Sequence, residues 1–207
     1  MIADLHVHSH HSKDSKSRVK DIVYTALKRG LNALAITDHN TLNGSLEAVE
    51  LVSEENLDLL ILPGMEVSTS DGHLLAYGIS REVDSGMSMV DTIKAVKNLG
   101  GLAVVAHPFQ FYRHGLVKFW VVKEADAVEV FNSKYVLGIC NFLAKKLADF
   151  YKKPGTAGSD AHKAEEVGRA VTIIHCPRKV AGINEVLEAI KAGKTSVTGE
   201  RQKLRNW

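Results

Sequence analysis

Apolar and polar positions alternate along this chain on two scales. Short runs rich in β-branched residues end in polar residues, and each run is followed by a stretch with helical periodicity. Ile2–Val7 predicts a first strand. Residues 17–29 predict a helix, with Val19, Ile22, Val23, Ala26 and Leu27 on one face and Gly30 to stop it. Residues 33–37 predict a buried strand. Residues 44–55 predict a helix whose apolar stripe is Leu46, Val49, Leu51 and Val52. A third strand opens at 59–62 and runs through Pro63 and Gly64 toward Glu66 and Ser68. Asp71-Gly72 has the composition of a hairpin turn, with 73–79 as the returning strand. Farther on, helices are expected at 88–99, 136–152 and 183–192. Strands are expected at 102–106, 127–131, 171–175 and 195–197, with a shorter one at 156–157.

Strands separated by helices imply βαβ units and a largely parallel sheet. Seven or so strands in a chain of 207 residues suit a closed barrel better than an open sheet. The expected fold is therefore α/β, a distorted seven-stranded TIM-like β/α barrel formed by one domain over 1–207. In such barrels the chemistry sits at the carboxyl ends of the strands.

Bulk composition changes this picture little. Hydrophobic residues make up 45% and charged residues 24%, as in ordinary soluble domains. The formal net charge of +2 argues neither for nor against nucleic acid, and the basic residues Arg201, Lys203 and Arg205 read as a solvated tail. Cys140 and Cys176 are too few and too far apart for a disulfide framework, so a reducing cytoplasm is the expected location. The amino terminus opens directly into a strand without a charged-then-apolar leader. No apolar run approaches the ~18 residues that span a bilayer, so no membrane partner is expected.

Histidine is the anomaly, with ten copies. In Asp4-Leu-His6-Val-His8, residues two apart on a strand face the same side, so His6 and His8 can grip one metal with Asp4 behind them. Thr37-Asp38-His39-Asn40 ends the second strand, where Asp38 or Asn40 could instead cap a helix. Glu66 ends the third strand, and a carboxylate there can bridge two cations. His73 begins the next segment. His107 closes a very apolar strand and needs a hydrogen bond or a metal. Asp160 and His162 follow a short strand, two residues apart. Five strand ends bearing His, Asp or Glu point to a shared divalent-metal cluster. Nitrogen and oxygen donors without thiolate favour zinc, manganese or iron. His10 and His11 read as loop residues, His114 as a candidate substrate contact and His175 as structural. Arg113, Lys134 and Arg169 lie near motif-bearing strand ends and are candidate phosphate-binding cations.

Taken in order, Asp4-Leu-His6-Val-His8-Ser9, Ile36-Thr-Asp38-His39-Asn40, Gly64-Met-Glu66-Val-Ser68, Ala106-His107-Pro108 and Gly158-Ser-Asp160-Ala-His162 resemble the PHP (polymerase and histidinol phosphatase) superfamily. The motifs span Asp4 to His162, most of the chain, and Val167-Gly-Arg169-Ala170 is similar to family sequence as well. The resemblance implies a cluster of two or three divalent ions and hydrolysis of a phosphate ester by metal-activated water. It implies Glu66, Asp160 and His107 as catalytic residues. It assigns one ion to His6, His8, Glu66 and Asp160, and a second to Glu66, His73 and His107. A third would take His39, His162 and a residue of the loop after the first motif. That loop departs from the family: many relatives carry Ser-Asp-Gly one residue earlier than Ser12-Lys13-Asp14-Ser15, and Asp14 is the expected ligand here. The implied substrate is a phosphorylated small molecule, a nucleotide or a short nucleic-acid end. Histidinol phosphate is an alternative, although this chain is short for that enzyme class. Amide or lactone hydrolysis in the manner of amidohydrolases is a further alternative, but no lysine sits at a motif position to serve as a bridge. Metal identity, substrate and oligomeric state are not fixed by the sequence.

Overall fold

The structure, a computed structural model, describes residues 1–110, 115–176 and 182–202. Ten strands and five α-helices follow the expected alternation: β1 (Ile2–Val7), α1 (Val19–Lys28), β2 (Ala33–Ile36), α2 (Asn43–Glu54), β3 (Leu60–Ile61), β4 (Gly64–Thr69), β5 (Gly72–Tyr77), α3 (Met89–Asn98), β6 (Leu102–Val105), β7 (Ala127–Asn132), α4 (Gly138–Phe150), β8 (Gly155–Gly158), β9 (Ala170–Ile174), α5 (Ile183–Lys191) and β10 (Thr195–Gly199).

The ladders form two five-stranded sheets, ordered β10-β9-β1-β2-β3 and β4-β5-β6-β7-β8. This is a mixed α/β architecture, and among the described residues no single closed ladder of seven strands forms. β1, β2 and β3 run parallel, as do β6, β7 and β8. The pairs β4–β5, β5–β6, β1–β9 and β9–β10 are antiparallel. The expected third strand is split, because Pro63 has no N–H for a ladder and separates β3 from β4, which join different sheets. Between the sheets run only isolated bridges among the described residues, Val7 to Ala161 and His39 to Glu66.

Three apolar clusters hold the layers. Ala3, Leu5 and Ala35 of the first sheet pack with Leu75, Tyr77 and Val104 of the second, and the Tyr77 hydroxyl donates to the Leu5 carbonyl at 2.7 Å. The outer face of the first sheet packs on α1 through Ile22, Val23 and Ala26. Met65, Val67 and Val105 of the second sheet pack against Ile93 and Val96 of α3.

α2 buries only part of the stripe its periodicity suggests: Leu51 and Val52 pack partly buried against the cluster on α1. Gly44, Ser45 and Ala48 are buried, whereas Leu46 and Val49 are exposed. The reason is close approach: a Cβ on Gly44 would meet Asp38 Oδ2 at 2.0 Å and Ser9 Oγ at 2.4 Å. Small residues therefore face the sheet. Among the described residues, no helix is long and apolar enough to cross a membrane.

Candidate metal centre

The strand ends converge on a cavity of about 680 Å³ bordered by His11, Lys13, Asp14, Asn40 and Ser68, with His39, Glu66, His73, His107 and Asp160 in its wall. Glu66 is the hub. Its Oε2 lies 3.2 Å from His6 Nε2, 3.2 Å from His8 Nε2 and 3.4 Å from His39 Nδ1. Its Oε1 lies 2.7 Å from His73 Nδ1 and 2.9 Å from His107 Nε2. Asp160 Oδ1 lies 3.4 Å from His8 Nε2 and 3.8 Å from His6 Nε2. Asp14 Oδ2 lies 2.8 Å from His162 Nε2 and 3.4 Å from His39 Nε2. All nine residues expected as ligands, one on an exposed loop and the rest at strand ends, thus meet in one place.

Local structure explains the convergence. Strand alternation carries His6 and His8 to one side of β1, and the His8 amide is held at 2.8 Å by the Ala161 carbonyl. The β4–β5 hairpin pairs Ser68 with His73, so His73 lies diagonally across from Glu66 on the same face. Gly158 lets β8 approach β1, since a Cβ there would meet His6 Cβ at 2.3 Å. Asp160 sits at φ +52, a backbone conformation that costs energy in a residue other than glycine and is held by its surroundings.

The donor set fits divalent cations. His8 Nε2 and His39 Nδ1 are buried and make no hydrogen bond, although both lie near the same Glu66 oxygen. Buried imidazole nitrogens normally have partners. Here they point at a common space ringed by carboxylates. Three-residue sets with converging ligand atoms include His6, His8 and Glu66; His39, Glu66 and His73; and His8, His39 and His162.

Charge is strongly coupled. Burial opposes ionisation of Glu66, but the imidazoles of His6 and His73 overcome it and hold the carboxyl well below its usual range. Burial likewise opposes a charge on His8, yet Asp160 and Glu66 raise it to about 9. His6 is raised as well, against burial, by Glu129, Glu66 and Asp160. His73 goes the other way, because burial outweighs its contact with Glu66. For Asp14, partial burial is overcome by its bonds to His162 and His39, which lower its carboxyl. Without metal these groups share protons, and cations would replace those protons.

A supporting layer fixes the rings. Glu129 on β7 takes His6 Nδ1 at 2.8 Å, which turns His6 Nε2 to the cavity. Its other oxygen accepts from the His107 amide at 2.8 Å and from Asn132 Nδ2 at 3.1 Å. Asn132 also donates to Asp160 at 3.2 Å. Neither Glu129 nor Asn132 stands out in the sequence, although a carboxylate inside the apolar run Ala127-Val-Glu-Val-Phe131 needs a buried partner. Asp4, expected behind the His pair, accepts from the backbone amide of His6 at 3.3 Å. It also accepts from the amides of Ser159 at 2.9 Å and Gly168 at 2.6 Å, tying β1 to the segments around β8 and β9. Burial raises its carboxyl to about 6. Asp38 does not cap α2 but accepts from both the amide and hydroxyl of Ser9 at 2.6 Å.

Two of the three candidate phosphate-binding cations are not among the residues bordering the cavity. Lys134 pairs with Glu166 at 2.7 Å and Arg169 reaches the same carboxylate at 3.5 Å. Glu166 accepts from the His162 amide at 3.2 Å, so these cations brace the far side of His162. Arg113 and His114 lie outside the described residues. Lys13, which sequence reasoning passed over, borders the cavity.

The family described as PHP domain matches residues 4–153, and one described as PHP-associated matches 138–195. An uncharacterized protein of Methanocaldococcus jannaschii is 33% identical over 154 residues, which is 70% of this chain and 89% of that protein. A phosphoribosyl 1,2-cyclic phosphate 1,2-diphosphodiesterase of Eggerthella lenta is 38% identical over 85 residues, 38% of this chain and 31% of the relative. Among solved structures, a two-domain protein of Bacteroides vulgatus containing a predicted PHP-like metal-dependent phosphoesterase superposes with TM-score 0.77 at 18% identity, over 97% of this chain and 65% of that one.

Proposed function

From the premise that this chain belongs to the PHP domain family, we propose that it is a metal-dependent phosphoesterase. Its substrate is a phosphate ester of a nucleotide, an oligonucleotide end or another small phosphorylated molecule. The observation that carries the reading is Glu66, whose two oxygens each face a separate set of imidazoles, His6, His8 and His39 on one side and His73 and His107 on the other. A carboxylate so placed suits a bridge between cations. The ligand sets implied by the family, including Asp14 with His39 and His162, are our assignment.

Two or three zinc, manganese or iron ions bound there would supply a water nucleophile at neutral pH and neutralise charge on the phosphoryl oxygens. The protein's own part is positioning. Glu66, Asp160 and the histidines fix where the phosphoryl group sits. Glu129 and Ser12 hold ring orientations, through His6 Nδ1 at 2.8 Å and His8 Nδ1 at 3.3 Å. Asp160 and His107, at the floor, are the residues nearest the reacting group in this reading, and Lys13 is the cation at the mouth.

The test is phosphate release, with added manganese or zinc, from nucleoside bisphosphates, short RNA and DNA, phosphorylated sugars and histidinol phosphate. Release from at least one of these that Asp160→Ala lacks is expected. Full metal content with no release from any of them would move the reading to a non-phosphate substrate.

A further inference from the structure

A second group of ligating side chains stands outside the centre just described. His10, His11 and Glu47 share no residue with it, and their ligand atoms converge. Both histidines follow β1, and Glu47 is on α2. His11 Nε2 lies 2.7 Å from Glu47 Oε2, and His10 Nε2 lies 4.0 Å from the same oxygen. The two rings face each other at 4.2 Å between centroids.

Consecutive residues of an extended chain point to opposite sides, so two adjacent imidazoles aimed at one carboxylate need a turn to hold them. That turn is built. The His10 amide bonds the Ser17 carbonyl at 2.8 Å, and the His11 amide bonds Ser9 Oγ at 3.2 Å. Ser9 is itself anchored by Asp38. A plain surface ion pair between His11 and Glu47 would need neither His10 nor this preset arrangement, and would contribute little.

We infer that His10, His11 and Glu47 form a separate, solvent-open site for one divalent ion of the zinc class. Two imidazoles and one carboxylate are a donor set that zinc accepts, with water in the remaining position. Ligand atoms about 2.0–2.2 Å from one tetrahedral ion stand roughly 3.3–3.6 Å apart, and the separations of 2.7 and 4.0 Å bracket that spacing. Small side-chain rotations bring them to it. His10 and Glu47 are each 44% exposed, so this site binds more weakly than the buried centre. His11 also borders the cavity, so an ion held here would add positive charge beside its mouth.

The experiment is equilibrium dialysis of the full chain against buffered zinc over a wide range of free concentration, with bound metal counted by elemental analysis. Wild type, His10→Ala, Glu47→Gln and Asp160→Ala are compared. Wild type should take up one additional zinc per chain in a late step. Both His10→Ala and Glu47→Gln should lose that step or shift it at least tenfold upward while keeping the early uptake. Asp160→Ala should lose early uptake and keep the late step, so this result stands apart from any phosphate release. Binding curves for His10→Ala and Glu47→Gln that match wild type would overturn the site. A variant that folds poorly leaves a second readout on the wild-type protein: zinc should shift the Nε2 resonances of His10 and His11 in the late step, and unmoved resonances would overturn it equally.

Discussion

The metal centre has two halves that are built differently. The inner half consists of His6, His8, Glu66, His73, His107 and Asp160, all buried and sited at the ends of strands. Glu129 and Asn132 brace it from behind. The outer half consists of Asp14, His39 and His162. Asp14 is 41% exposed and belongs to the loop after β1. The carboxylate of Asp14 joins His39 to His162 there. Side chains fixed by ladders and a second layer lose little freedom when an ion arrives, whereas a loop carboxylate must be ordered at a cost. The inner half should therefore hold its ions tightly, and the outer half should exchange its ion readily.

Two substitutions probe that contrast. Glu129→Gln removes the charge behind His6 without touching the cavity, and should lower metal affinity and turnover together by about 10- to 100-fold; competitive chelation followed by activity measurement reads both. An unchanged affinity would mean that β1 and β8 alone orient the inner ligands. Asp14→Asn should cost one ion per chain and roughly tenfold in turnover, with inner metal retained in elemental analysis. Loss of all metal would show that the halves are not separable.

The smallest effect is a pH dependence of the metal-free protein. The folded state raises His8 to about 9 from an ordinary 6.5. A raised imidazole contributes stability that is complete below 6.5 and is lost as pH climbs through 9. Chelator-treated protein should accordingly melt at lower temperature as pH rises from 6.5 to 9. The zinc-loaded protein should show a flatter profile, because the ion takes the place of the proton. A melting temperature that rises over this range in the chelated protein would contradict the coupling of His8 to Glu66 and Asp160.

Much of this was legible in the sequence. The alternation of apolar runs and helical stretches located the strands before His39 and His107, because β2 and β6 are buried along their length and read as apolar runs. The ligands were legible because histidine and carboxylate at the ends of such runs have no ordinary structural reason to recur. What failed to show has physical causes. The split at Pro63 is invisible to periodicity, since both pieces are apolar. α2 makes its closest approach through small residues, so Leu46 and Val49 of its apolar stripe stay exposed while Leu51 and Val52 pack. Glu129 looks like a lone carboxylate, and only the fold reveals that it stands behind His6. Lys134 and Arg169 are close to the motifs in sequence, but Glu166 takes both. His10 and His11 look like loop residues until α2 brings Glu47 beside them.

The central claim is that Glu66 joins cations in a hydrolytic centre. It is tested most directly by counting tightly bound metal in wild type and Glu66→Gln and measuring phosphate release by both. The account predicts two or three ions per wild-type chain. In the variant at least two of them should be lost and release should fall to background, with an unchanged circular dichroism spectrum. A folded variant that keeps its metal, or that still releases phosphate at the wild-type rate, would contradict it.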